Sequence, residues 1–229
     1  MTIADAVKKF LVLCFVWMGL TVHSWAHYVW VEPSGENQAK VYFGEFDEGK
    51  HEKTGGRLDE ISKLEFWQWH PRAEKPATAK WVRKEDHFLV SELGGHPVLL
   101  AQDLAHEVAD MRKYESGIVK PMYYARFQRS GQGQAADPFL DLDIAWMKDN
   151  VCRVFFHKQP LPGAKITIYA PNGWKQEHKT DDSGQAALQT PWPGQYVLEV
   201  IHKEAAPGTF GGKEYEAVRH RATCAFIQK

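Results

Sequence analysis

Histidine is the residue type with the most chemistry to offer in this chain. Of its 11 histidines, ten follow residue 26, at positions 27, 51, 70, 87, 96, 106, 157, 178, 202 and 220. Imidazole nitrogen accepts zinc, copper, nickel and cobalt, and divalent affinity runs copper above nickel above cobalt. No two of the ten are spaced H-x-x-x-H or H-E-x-x-H, so no helix face presents a ready pair. Any metal site must be assembled from distant segments. His27 is the most specific candidate ligand. His96 and His106 flank the run HPVLLAQDLAHE, with Glu107 as a possible oxygen ligand beside them. His51 lies in the acidic stretch GEFDEGKHE, where Glu45, Asp47, Glu48 and Glu52 offer carboxylates. Ordinary hydrogen-bonding histidines and a solvated charged loop are the simpler readings of these three. His178, His202 and His220 are expected at the surface.

His27 stands out because of what precedes it. Lys8 and Lys9 are followed by an apolar run from Phe10 to Val22, with small Ser24 and Ala26 beyond. Basic, apolar, then small-x-small is the order of a secretory signal. The run covers 13 positions, whereas a membrane-spanning helix needs about 20; an uncleaved anchor is the alternative. Cleavage after Ala26 predicts a periplasmic chain that begins at His27. Its free α-amine, with an unperturbed pKa of about 7.7–8, and its imidazole would form one chelate. Export also predicts a disulfide between Cys152 and Cys224, which remain once Cys14 leaves with the signal. Closing so long a loop would contribute roughly 4 kcal/mol in the chain-entropy account. Two buried free thiols are the alternative.

Composition narrows the function classes. The 229 residues carry 28 Lys+Arg against 29 Asp+Glu, so no basic excess exists to replace counterions around phosphate, and no nucleic-acid partner is expected. An apolar content of 44%, with 13% aromatic, excludes a disordered acidic chain. No G-x-S-x-G elbow and no Gly-rich turn before a helix is present, so hydrolase and phosphate-cradle readings lack their motifs. Asp141 and Asp143 fall two residues apart in a strand-like segment, where they read as a cation pair or as the wet face of an edge. Trp67, Trp69, Trp81, Trp174 and Trp192 read as core, or as a sugar-stacking platform.

The elements that must position these groups are strands. Alternating segments at Tyr28–Val31, Lys40–Phe46, Leu64–Trp69, Trp81–Val82, Phe88–Val90, Val98–Gln102 and Met122–Gln128 are separated by turn residues. Only Arg57–Lys63 and Leu104–Tyr114 carry a helical pattern. This spacing predicts an all-β fold of two sandwiches. The polar, Gly-rich SGQGQAADP at Ser130–Pro138 predicts a linker, giving an N-terminal sandwich over 27–136 and a C-terminal one over 137–229. In the latter, PLPGAKITIY, TDDSGQAAL and PGQYVLEV resemble the transthyretin-like or collagen-adhesin B-type sandwich, a fold that carries no function by itself.

A wider resemblance rests on His27-Tyr28-Val29-Trp30-Val31-Glu32-Pro33, Val41-Tyr42-Phe43-Gly44-Glu45 and Gly55-Gly56-Arg57-Leu58-Asp59. Gly163-Ala164, Tyr169-Ala170-Pro171-Asn172-Gly173-Trp174 and Pro191-Trp192-Pro193-Gly194-Gln195-Tyr196 extend it. Together these resemble an exported bacterial family of unknown-function domains labelled nickel-uptake or periplasmic cobalt-transport components. The resemblance implies a periplasmic two-part β protein that hands a divalent ion (nickel, cobalt or copper) to a membrane permease. His27 is the one residue it carries over as a ligand. Two other readings stand beside it: a copper-dependent oxidative enzyme built on the N-terminal histidine, and a metal-free envelope-interaction or carbohydrate-binding module.

Overall fold

Residues 123–127 show how the molecule is layered. Tyr123, Ala125 and Phe127 point into one core, and Tyr124 into another on the opposite face. Side chains alternate along a strand, so a strand that is buried at every one of these positions must be covered on both faces. In the computed structural model, which describes residues 27–70, 73–94, 98–128, 137–147 and 149–229, this strand runs from Ile118 to Gln128. The expected signal segment, His96 and most of the expected linker lie outside the described residues.

The Ile118–Gln128 strand sits inside a nine-stranded sheet. Its path runs Lys175–Lys179, Lys165–Tyr169, Gly194–Glu204, Ala217–Gln228, Ile118–Gln128, Val98–Asp103, Glu65–Trp69 and Ala77–Thr78, with Ala109–Asp110 alongside. A five-stranded sheet packs on one face, ordered Tyr28–Pro33, Ala39–Glu45, Phe88–Ser91 and Lys80–Arg83, with Lys50–His51 paired to the second. A four-stranded sheet built on Leu142–Trp146 and Val151–Phe156 packs on the other. The fold is all-β, three sheets deep, with two aromatic-rich cores. The first core joins Trp30, Phe43, Phe66 and Phe88 to Tyr123 and Phe127. The second joins Leu142, Ile144 and Val154 to Tyr124, Leu198 and Phe226. Each large side chain fully buried there contributes about 1.5–3 kcal/mol.

Strands from both sides of residue 136 share the nine-stranded sheet. Ile118–Gln128 pairs in parallel with Ala217–Gln228, from Val119↔Ala217 to Gln128↔Phe226. Ala217–Gln228 in turn pairs antiparallel with Gly194–Glu204. The segments expected to be helical behave differently. Arg57–Glu60 and Arg112–Tyr114 are single 3₁₀ turns, and Ala109–Asp110 between the latter and Leu104 is a short strand. A helix there could bury only one stripe, whereas the extended chain lets Ala109 and Met111 close a small core with Val119 and Ala217.

The expected disulfide is corrected by this layering. Cys152 lies on Val151–Phe156 and Cys224 on Ala217–Gln228, strands of two facing sheets, and both are free and buried. Each thiol is held protonated by its burial between the layers, and a bridge forms only through a thiolate. The Cys224 thiol donates instead to Gln128 Oε1 at 3.7 Å. Burial pushes the Cys152 thiol up to about 12, so both behave as small apolar residues. The Asp141/Asp143 pair is also divided. Asp143 is fully buried against Arg126, while Asp141 is about half exposed and precedes the strand.

Candidate functional site

Three strand positions bring His27 to its partners. Tyr28 pairs with Gly44, which puts His27 beside Glu45. Gly44 pairs on its other side with His51, and the next residue, Glu52, donates its backbone N–H to Phe43 O at 2.9 Å. His51 and Glu52 therefore face opposite ways. A Cβ at Gly44 would lie 2.0 Å from Lys50 O, so only glycine lets the Lys50–His51 strand pass this close.

The closing strand fixes the other side of His27. Arg221 Nη1 donates to His27 O at 3.0 Å, and Thr223 Oγ1 donates to Val29 O at 2.7 Å. Arg221 is itself held by a buried ion pair with Glu199, which also accepts from Tyr169 Oη at 2.7 Å. The resulting pocket leaves His27 only 5% exposed.

Both ring nitrogens of His27 meet charged groups. Nε2 contacts Glu52 Oε1, and Nδ1 lies 3.2 Å from Glu45 Oε1. The Arg57 guanidinium lies 3.1 and 3.2 Å from the two nitrogens. Lys50 Nζ reaches the same carboxylates, at 3.3 Å from Glu45 and 3.6 Å from Glu52. Burial, with the Arg57 and Lys50 charges, holds the imidazole below its ordinary value against the opposing pull of Glu52. Burial is the largest single influence on Glu52 and opposes its ionisation, but the hydrogen bond to His27 and the charges of His27, Lys50 and Arg57 together hold its carboxyl below the ordinary value. The pocket thus holds an imidazole toward its neutral form beside the Glu52 carboxylate held toward its ionised one, the protonation states that bind metal.

A chain of contacts runs on to His106. Arg57 makes a forked pair with Glu60, Nε to Oε1 at 3.0 Å and Nη2 to Oε2 at 3.1 Å. Glu60 Oε2 lies 3.8 Å from His106 Nε2. His106 packs edge-on against Tyr123 and beside Phe43, whose ring also contacts His27. Its side chain lines a cavity of about 650 Å³ with Glu60 and Glu107. Burial brings its pKa down to about 4, and its Nδ1 has no hydrogen-bond partner.

Of the expected ligands, His27 and His106 are thus drawn into one region, linked through Arg57 and Glu60. His51 is not. It stacks on Tyr42 at 3.9 Å on the far face of the sheet, with Asp86 4.0 Å from Nδ1. Glu45 and Glu52, named with His51 from the sequence, serve His27 instead. Glu107 pairs outward with Lys213 at 2.8 Å. Arg57 and Glu60 carry no sequence signal beyond their place beside Gly55-Gly56. His220, expected at the surface, is 2% exposed. Of the five tryptophans that suggested a sugar platform, Trp81 alone is exposed, and its ring packs against Phe66 and Phe88.

Among the described residues no three His, Cys, Asp or Glu side chains are disposed to hold a metal ion as they stand. No helix among them is long and apolar enough to cross a membrane. No family model and no curated protein matches this chain.

Proposed function

We propose that the chain binds one divalent late first-row ion (nickel, cobalt or copper) at His27, in the periplasm, for delivery to a membrane permease. The observation that carries the reading is a buried, neutral imidazole set between two carboxylates whose local counter-charges are Lys50 and Arg57. Lys50 is 42% exposed, so an incoming divalent ion can displace its ammonium from Glu45 and Glu52. Imidazole nitrogen with carboxylate oxygen suits these ions. Cleavage after Ala26 would add the α-amine as a further nitrogen.

An oxidative copper centre would need a second imidazole at His27. The expected one drawn into the same region, His106, is separated from it by Arg57 and Glu60, which favours binding over oxidation. The test is N-terminal mass analysis of the exported protein followed by calorimetric titration with nickel, cobalt and copper. We expect His27→Ala to weaken the tightest site at least tenfold, and Glu52→Gln to weaken it by less. Equal affinity in wild type and His27→Ala would overturn the assignment.

A further inference from the structure

Among the described residues, Arg219 is the arginine whose guanidinium makes no hydrogen bond and no ion pair. Each other arginine among them grips a carboxylate or a backbone carbonyl. The side chain is partly buried, and a desolvated charge without a partner is unfavourable. Burial, and after it the neighbouring Arg221 charge, brings the Arg219 guanidinium down to about 10.

Strand pairing fixes what Arg219 faces. Arg221 pairs with Tyr123, while Arg219 pairs with Pro121 on one side and Lys203 on the other. Tyr123 points into the first core. Residues two apart on a strand share a face, so Arg219, Arg221 and Tyr123 lie on one side of the nine-stranded sheet. With strands about 4.8 Å apart and a rise of about 3.3 Å per residue, the Arg219 and Tyr123 backbones are about 8 Å apart. That diagonal is within reach of a long side chain. Lys203 turns its ammonium away to Ser116 O at 2.9 Å.

The Tyr123 hydroxyl is a second, independent observation. Tyr123 is 3% exposed, and its ring is clamped edge-on by Phe43 at 5.5 Å and His106 at 5.1 Å. Buried tyrosine hydroxyls ordinarily find a hydrogen-bond partner, yet this one has none among the described residues. The charges acting on it are those of Arg221, Arg219 and Arg57, against Glu60. Glu60 is taken by Arg57. Glu199, the carboxylate whose charge Arg219 feels, gives Oε1 to Arg221 and Oε2 to Tyr169. One positive charge is left over, beside one unused hydroxyl donor.

We propose that Arg219 and the Tyr123 hydroxyl bind one oxyanion, the carboxylate or phosphate group of a small molecule. Both groups present two oxygens at the spacing of the guanidinium fork, and the tyrosine hydroxyl supplies a further bond to the same ligand. Arg221 is the neighbour that keeps the region positive while its own donors serve Glu199 and the His27 carbonyl. The site is separate from the His27 imidazole and does not rest on metal binding there.

The test titrates the full chain with sodium acetate and, separately, sodium phosphate at fixed ionic strength, with chloride as the control. Thermal midpoints and the Arg219 Nε–Hε resonance are followed. At least one of the two anions should raise the midpoint above the chloride control and shift the Arg219 signal, and the arm that does so identifies the group bound. Arg219→Met should weaken binding tenfold or more. Arg219→Lys, which keeps the charge but loses the fork, should recover only part of it. Tyr123→Phe should weaken binding severalfold, and His27→Ala should leave it unchanged. Because the guanidinium holds nothing without ligand, Arg219→Met in chloride should melt no lower than wild type. No response to either anion in wild type would overturn the proposal, as would equal affinity in Arg219→Met. A fall of several degrees for Arg219→Met in chloride would also overturn it, by showing a structural role for the guanidinium.

Discussion

At the scale of single residues, this protein places charge where water cannot reach it and covers it with partners. Arg126 and Asp143 are both fully buried and doubly bonded, Nε to Oδ1 at 2.8 Å and Nη2 to Oδ2 at 2.5 Å. The backbone N–H groups of Phe139 and Leu140 also donate to Asp143 Oδ2. Removing one partner of such a pair strands a buried charge. Asp143→Ala should therefore cost about 3–5 kcal/mol of stability, read from urea unfolding midpoints. Histidine burial has the opposite electrostatic logic. His106 is brought down to about 4, mainly by burial, and His27, His202 and His220 are lowered for the same leading reason. The unfolded chain then binds more protons than the folded one below the ordinary imidazole value of about 6.5, so stability rises with pH. What His106 contributes is present above about 6.5 and is lost as pH falls from there toward 4. Unfolding midpoints of wild type and His106→Gln should diverge at pH 7 and approach one another near pH 4; a constant gap would refute this.

At the scale of elements, the site depends on one close approach. Gly44 separates Glu45 from Phe43 on the strand facing His27, and a Cβ there would meet Lys50 O at 2.0 Å. Backbone rather than a flexible side chain is the obstacle, so Gly44→Ala must displace the Lys50–His51 strand and Glu52 with it. We expect at least about 2 kcal/mol of lost stability and weaker nickel or copper binding at His27, with strand content by circular dichroism largely kept. Binding equal to wild type would show that Glu52 is not needed. The same elements show what a sequence can reveal. Strands such as Lys165–Tyr169 and Phe88–Ser91 were legible because period-two alternation and turn residues are local signals. Lys175–Lys179 was not, because an edge strand reading KQEHK has no apolar face. The site was half legible. His27 was marked by its position and His106 by its type. Glu45 and Glu52 were seen as acids but assigned to His51, because adjacent residues on a strand face opposite ways and register is invisible without the partner strand. The packing of His157, His202 and His220 around Phe156 was hidden entirely, since it depends on pairing between segments far apart in the chain.

At the scale of the whole molecule, the decisive feature is the parallel pairing of Ile118–Gln128 with Ala217–Gln228. The polar stretch near residue 130 looks like a boundary in composition, yet the two strands meet across it for ten consecutive pairs. Arg221 and Thr223 then reach the first strand through the carbonyls of His27 and Val29. The first strand's position thus depends on residues near the end of the chain. This gives a test of whether 27–136 and 137–229 are independent. Cutting there leaves Ala217–Gln228 with a long, unpaired, mostly buried edge, and such edges promote association. It also exposes Ala225 and Val197, which face the first core. Expressed alone, 137–229 should aggregate or lack a cooperative thermal transition. Mixed with 27–136, it should regain one transition and the His27 carbonyl contact with Arg221, readable as protection of the Tyr28 amide region from hydrogen exchange. A fragment 137–229 that is monomeric and melts cooperatively by itself would show two units that merely share a sheet edge, and metal binding at His27 would then be expected to survive in 27–136 alone.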